Sequence, residues 1–287
     1  MLNYQIITDS GCDLPKKVVQ ELGLKIVPLY VNFRGETLED SVDEGIADVY
    51  NGLRGGEVAT TSAINPDRWS CAMEEYLSQG QDVLVITFSS GLSATYQSAV
   101  IAADELREKY PDREIAVVDS LCASLGQGLL VWYACKKRDE GLSLSQLAAW
   151  LEETRLNLCH WFTVDDLMYL KRGGRVSAAT ALVGTMLQIK PVLHVDDEGH
   201  LINKLKTRGR KASIQALADK VAELQGDFVN ETMFICHGDC PEDAQYLESL
   251  LRSKYGVKEV LIGYTGAVIG SHSGPGTLAL FFLGNHR

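Results

Sequence analysis

The chain has 287 residues, 46% of them apolar and 8% aromatic, enough for a packed core and unlike a disordered, collagen-like or coiled-coil chain. Its formal charge of −11 with neutral histidines repels phosphate backbones, so a nucleic-acid partner is not expected. Seven scattered cysteines form no disulfide framework, and Met1–Thr8 has no basic segment or small-residue cleavage site, so a cytoplasmic protein is expected. Val83–Ala103 and Val260–Asn285 lack acidic and basic residues, yet their serines, threonines, glycines, Pro275 and His272 suit no lipid-facing helix, and a soluble chain is expected.

In chain order, strands are predicted at Tyr4–Thr8, Lys25–Val31, Val83–Phe88 and Ile115–Asp119, each followed by turn residues and a helical pattern. Val83-Leu84-Val85-Ile86 is a continuous apolar run, as in a strand covered on both faces. Asp13 before Leu14-Pro15 and Asn65 before Pro66 read as helix caps. Strands alternating with helices imply a doubly wound parallel α/β domain.

The second half changes character. A helix over Ser143–Cys159 precedes a strand at His160–Val164, a helical segment near Asp166–Lys171, the turn Lys171-Arg172-Gly173-Gly174-Arg175 and a helix to about Leu187. Pro191–Val195 and Leu201–Thr207 flank Asp196-Asp197-Glu198-Gly199 as a hairpin, so this half carries antiparallel pairing. Helices follow at Arg210–Gln225 and Pro241–Tyr255, strands at Thr232–Cys236 and Glu259–Gly263, and two last segments at Ala267–Ser271 and Leu278–Leu283. The fold class is α/β in two domains: residues 1–159 around a parallel sheet, and residues 160–287, smaller, around a mixed sheet.

Chemistry concentrates in three places. Ser89-Ser90-Gly91-Leu92-Ser93-Ala94-Thr95 leaves a buried strand and enters a helix, where unpaired N–H groups and hydroxyls can meet an anion or simply cap the helix. Thr60-Thr61-Ser62 adds hydroxyls before a second helix start, and His272 sits in the glycine-rich run 270–277, read as an exposed loop tip. No dinucleotide fingerprint, Walker A sequence or nucleophile elbow is present. Cys236-His237-Gly238-Asp239-Cys240 has metal-ligand residue types but no second Cys/His pair, so neither metal nor cofactor is expected. Basic residues cluster at 171–175 and 204–211 and suit a phosphate or a partner.

In order and spacing, several motifs resemble the DegV family, bacterial fatty-acid-binding proteins that include the FakB subunits of fatty acid kinase. They are Thr8-Asp9-Ser10-Gly11-Cys12-Asp13-Leu14, Thr61-Ser62, Ser89 to Tyr96, Val118-Asp119-Ser120, Leu170 to Ser177, Lys190-Pro191-Val192-Leu193 and His272-Ser273-Gly274-Pro275-Gly276. The resemblance implies a two-domain α/β fold holding one long-chain fatty acid in an apolar tunnel. It implies that Thr61, Ser62, Ser93 and His272 hold the carboxylate, and that Arg172, Arg175 and Arg208 face a kinase partner or incoming phosphate. The chain would act as a carrier with no catalytic residue of its own, allowing transient membrane contact. Where the family often has Thr-Ser-Gln-Pro, this chain has Thr61-Ser62-Ala63-Ile64. The alternative is an acyl hydrolase or transferase with Ser93 as nucleophile and His272 as base, for which the sequence offers no orienting acid.

Overall fold

The computed structural model describes residues 4–176 and 188–287. The first half runs β1 (Tyr4–Asp9), α1 (Lys16–Glu21), β2 (Lys25–Val27), β3 (Tyr30–Phe33), β4 (Glu36–Glu39), α2 (Ile46–Arg54), β5 (Thr60–Ser62), α3 (Pro66–Leu77), β6 (Asp82–Thr87), α4 (Thr95–Lys109), β7 (Ile115–Asp119), α5 (Leu125–Asp139) and α6 (Leu144–Thr154). The second runs β8 (Leu158–Thr163), α7 (Met168–Arg172), β9 (Ile189–Val195), β10 (Leu201–Arg208), α8 (Arg210–Leu224), β11 (Thr232–His237), α9 (Pro241–Tyr255), β12 (Glu259–Tyr264), α10 (Ala267–Ser273) and β13 (Leu278–Leu283). The helix expected up to Leu187 lies largely outside the described residues.

The first sheet has the order β2-β1-β6-β7 and is wholly parallel, as the alternation of strands and helices requires. The second, β10-β9-β8-β13-β11-β12, is antiparallel except for the β11–β12 pair. A third small sheet, β4-β3-β5, has no counterpart in the sequence reading. The strand expected over Lys25–Val31 divides at Pro28, which has no N–H for a ladder, so β2 joins the parallel sheet and β3 the small one. The helix expected to reach Cys159 stops at Thr154, and Leu158 and Cys159, both fully buried, already belong to β8.

Helix α5 is the shared layer between the two large sheets. Its Leu125, Leu129 and Leu130 join one core with Ile6 and Leu84 of the first sheet and Phe162, Phe234 and Phe281 of the second. Gly126 permits the close approach of His160 and Phe281, because a Cβ there would strike the Phe281 ring at 2.8 Å.

Asn65 caps α3 as expected, accepting the Arg68 N–H at 2.9 Å behind Pro66. Asp13 does not cap α1, which begins after Pro15 without a side-chain cap. Its backbone is left-handed (φ 51°) and its carboxyl group turns into the core to accept from the Ser124 hydroxyl. Burial pushes that carboxyl well above its ordinary titration range.

Candidate functional site

The Ser89–Thr95 loop leaves the carboxyl end of β6, the edge of a parallel sheet where ligands of open α/β folds sit. Asp9 at the end of β1 fixes its start, accepting N–H groups from Phe88 at 2.7 Å and Gly11 at 3.0 Å, and Gln127 Nε2 at 3.2 Å. The β9–β10 hairpin turn closes over this loop. Ser89 Oγ donates to the Gly199 carbonyl at 2.9 Å, and a Cβ at Gly91 would lie 2.7 Å from the Glu198 carbonyl oxygen. Ser93 Oγ accepts the Thr95 N–H at 3.2 Å and lies 2.9 Å from Thr95 Oγ1, so it helps to cap α4.

His272 is not on a loop tip. It occupies the last turn of α10, whose flanking glycines serve close packing instead of exposure: Gly270 lies against the Tyr50 ring and Gly274 (φ 80°) against Tyr169. Asp40 Oδ1 accepts the Val268 N–H at 3.0 Å, and the Tyr50 hydroxyl donates to the Thr265 carbonyl at 2.8 Å, holding the start of the helix. Gly173 packs directly on the imidazole, since a Cβ there would lie 3.0 Å from its Cγ. The first glycine of the Arg172-Gly173-Gly174-Arg175 turn therefore makes room for His272. Burial first, and Arg175 second, push the His272 pKa down to about 4, so the ring is neutral at neutral pH.

Thr61, Ser62, Ser93, His272 and Arg175 all border one cavity of about 280 Å³. Thr61 Oγ1 and His272 Nε2 share a hydrogen bond of 2.7 Å. Beyond this polar end the wall includes Phe88 and Leu92 of the loop after β6 and Phe162, Leu201 and Phe281 of the second sheet. Ser62 and Ala94 are exposed, which places the polar end next to solvent. The volume is near the lower end of ordinary ligand pockets, roughly 300–1,000 Å³.

Arg175 donates from Nε to the Leu92 carbonyl at 3.2 Å and also bonds the Gly173 carbonyl, and burial lowers its pKa. Arg172 is exposed over the Tyr169 ring, 5.3 Å from its centroid, and Arg208 is exposed at the end of β10; neither borders the cavity. Ser93 and His272 are not hydrogen-bonded to each other, each being bonded to a threonine instead. The nucleophile–base contact of the hydrolase alternative is thus not formed in this structure. No group of three or more His, Cys, Asp or Glu residues that could hold a metal occurs among the described residues.

Sequence reasoning missed the floor of the cavity: Ser124, His160, Cys236 and Thr265. Thr265 donates to Cys236 Sγ at 3.1 Å, and the Ser124 oxygen, whose proton goes to Asp13, lies 3.2 Å from the same sulfur. His160 Nδ1 donates to the Leu158 carbonyl at 2.9 Å, leaving Nε2 to accept the Ala123 N–H at 3.4 Å, and burial keeps the ring neutral. Alternation along β8 puts His160 and Phe162 on one face, a signal that could have found them.

The profile of the "Uncharacterised protein, DegV family" matches residues 3–285. The chain belongs to the DegV family. A DegV domain-containing protein of Clostridium perfringens is 47% identical over 292 residues, covering 100% of this chain and 99% of that protein. Among solved structures, a DegV lipid-binding protein from Thermotoga maritima superposes with TM-score 0.87 at 31% identity, over 100% of both chains. A DegV family protein from Thermus thermophilus, described for its fatty acid binding, gives TM-score 0.87 at 34% identity over 99% of this chain and 100% of its own. The two-domain α/β fold of DegV proteins is thereby established for this chain. Among the described residues, no helix is long and apolar enough to cross a membrane.

Proposed function

We propose that this DegV chain binds a single long-chain fatty acid in the cavity, with its carboxylate at Thr61, Ser62, Ser93 and His272, and presents that head group to a fatty acid kinase. The observation that carries the reading is the meeting of Thr61 and His272, 211 positions apart in the chain, at one end of a cavity walled by Phe88, Leu92, Phe162 and Phe281. Neutral hydroxyl and imidazole donors give charge-assisted hydrogen bonds to a carboxylate, and the partly buried Arg175 guanidinium on the same cavity adds a favourable charge. Burying on the order of 14 methylenes at ~0.8 kcal/mol each supplies about 11 kcal/mol of gross transfer free energy, ample for retention after ordering costs. The lipid- and fatty-acid-binding DegV relatives support the same ligand class.

The kinase half of the reading rests on the motif resemblance, the solvent-side head group and the exposed Arg172. Native mass spectrometry of delipidated protein with oleate tests the binding half: one adduct per chain is expected, and its absence refutes it. Arg172→Ala, tested with a fatty acid kinase, is expected to retain lipid binding while acyl phosphate formation falls. Unchanged turnover would remove Arg172 from the partner surface.

A further inference from the structure

Ser273, one residue past His272, is 4% exposed, and its hydroxyl has no hydrogen-bond partner. It borders the same cavity. Val268, Ile269, His272 and Ser273 all line it, the i, i+4 pairs 268/272 and 269/273 forming the cavity-facing side of α10. Other hydroxyls on this wall already have partners in this structure: Thr61 and Ser93 bond His272 and Thr95, which they can share or exchange for a carboxylate, while Ser124 bonds Asp13, Thr265 bonds Cys236 and Thr277 bonds the Gly274 carbonyl. A buried hydroxyl without a partner costs stability, and a donor left unspent at a binding cavity is matched to an acceptor that arrives with the ligand.

We infer that Ser273 is a further head-group ligand, donating its hydroxyl proton to the bound carboxylate beside His272. The inference rests on the fatty-acid reading above. A carboxylate offers about four lone-pair sites, so acceptor capacity remains after Thr61, Ser93 and His272 have bonded. Consecutive Cα atoms are about 3.8 Å apart, which keeps the Ser273 hydroxyl in the neighbourhood of the imidazole that meets Thr61. The stability cost of the empty site and the affinity of the filled one then have the same origin.

Ser273→Ala separates this role from a structural one, because the two predict opposite signs. Titration calorimetry would compare palmitate and hexadecanol on delipidated wild-type and variant protein, with thermal unfolding of both ligand-free proteins. The expected result is about a tenfold or greater loss of palmitate affinity, since a hydrogen bond to a charged group is lost. Hexadecanol affinity should change much less, and the ligand-free variant should melt no lower than wild type. Equal losses for acid and alcohol, no loss for either, or a lower melting temperature would overturn the assignment. If wild-type protein binds no palmitate, the fatty-acid reading fails and this inference fails with it. Wild-type binding with an indifferent Ser273→Ala refutes the inference alone.

Discussion

Placing one methyl group at Gly173 should loosen the head-group site without removing any of its donors. The backbone there is right-handed helical (φ −71°, ψ −11°), so alanine fits the chain conformation. The new Cβ would lie 3.0 Å from His272 Cγ and 3.1 Å from Cε1, and closer still to Nδ1. Favourable carbon contacts lie at roughly 3.5–4.0 Å, and the still closer Nδ1 sets the requirement, so the ring must retreat by about 1 Å or more. That displacement is enough to weaken the 2.7 Å contact with Thr61 and to shift the Thr61–His272 pair away from the carboxylate. One lost hydrogen bond to a charged group is worth ~1.5–3 kcal/mol, or about 10- to 100-fold in Kd for palmitate by titration calorimetry. The same overlap costs ~1–3 kcal/mol as in an overpacked core, against the ~0.4–1 kcal/mol that alanine gains through the unfolded chain. The melting temperature should therefore fall modestly, and the binding comparison is made well below it. A correctly folded Gly173→Ala protein that binds palmitate as wild type does would refute the link between this turn and the head group.

Ser93→Ala and Thr61→Val should each weaken fatty-acid binding by ~1.5–3 kcal/mol in the same calorimetric assay, and unchanged affinity in both would put the head group elsewhere. Ala279 is buried on β13 at the cavity wall, so Ala279→Phe should shorten the space for the tail. Palmitate would lose ~0.8 kcal/mol per displaced methylene while octanoate binds nearly as before; an unaltered palmitate Kd would place the tail along another path. By NMR, the His272 imidazole should remain neutral on acidification from the ordinary 6.5 and take up its proton only near pH 4. The unfolded chain binds that proton first, so this group's contribution to stability is complete above about pH 6.5 and is lost as pH falls towards 4. Titration of His272 between about pH 6 and 7 would contradict the buried, neutral assignment.

The parallel sheet and the hairpin were legible because local patterns decide them: the apolar run of β6 demands cover on both faces, and Asp196–Gly199 is turn chemistry between two β-rich segments. The β4-β3-β5 sheet was not, since Thr60–Ser62 is three polar residues long and β4 is exposed throughout. Its strands are held by pairing with Tyr30–Phe33 and leave no period to read. Asp13 misled because a carboxylate before Leu-Pro looks like a cap, whereas its partner Ser124 is 111 positions away. His272 misled for a related reason: glycines that look like loop punctuation permit contact with Tyr50 and Tyr169. The residues expected around a carboxylate do converge on one cavity, yet only the fold shows that Gly173 shapes the site and that Arg175 faces the cavity while Arg172 faces solvent.

The most direct measurement is a crystal structure of the delipidated protein soaked with oleate. Continuous elongated density should fill the cavity between Phe88, Phe162 and Phe281, ending in a carboxylate within hydrogen-bonding distance of Thr61, Ser93 and His272. A cavity that stays free of ligand, or a carboxylate bound away from the Thr61–His272 pair, would contradict it.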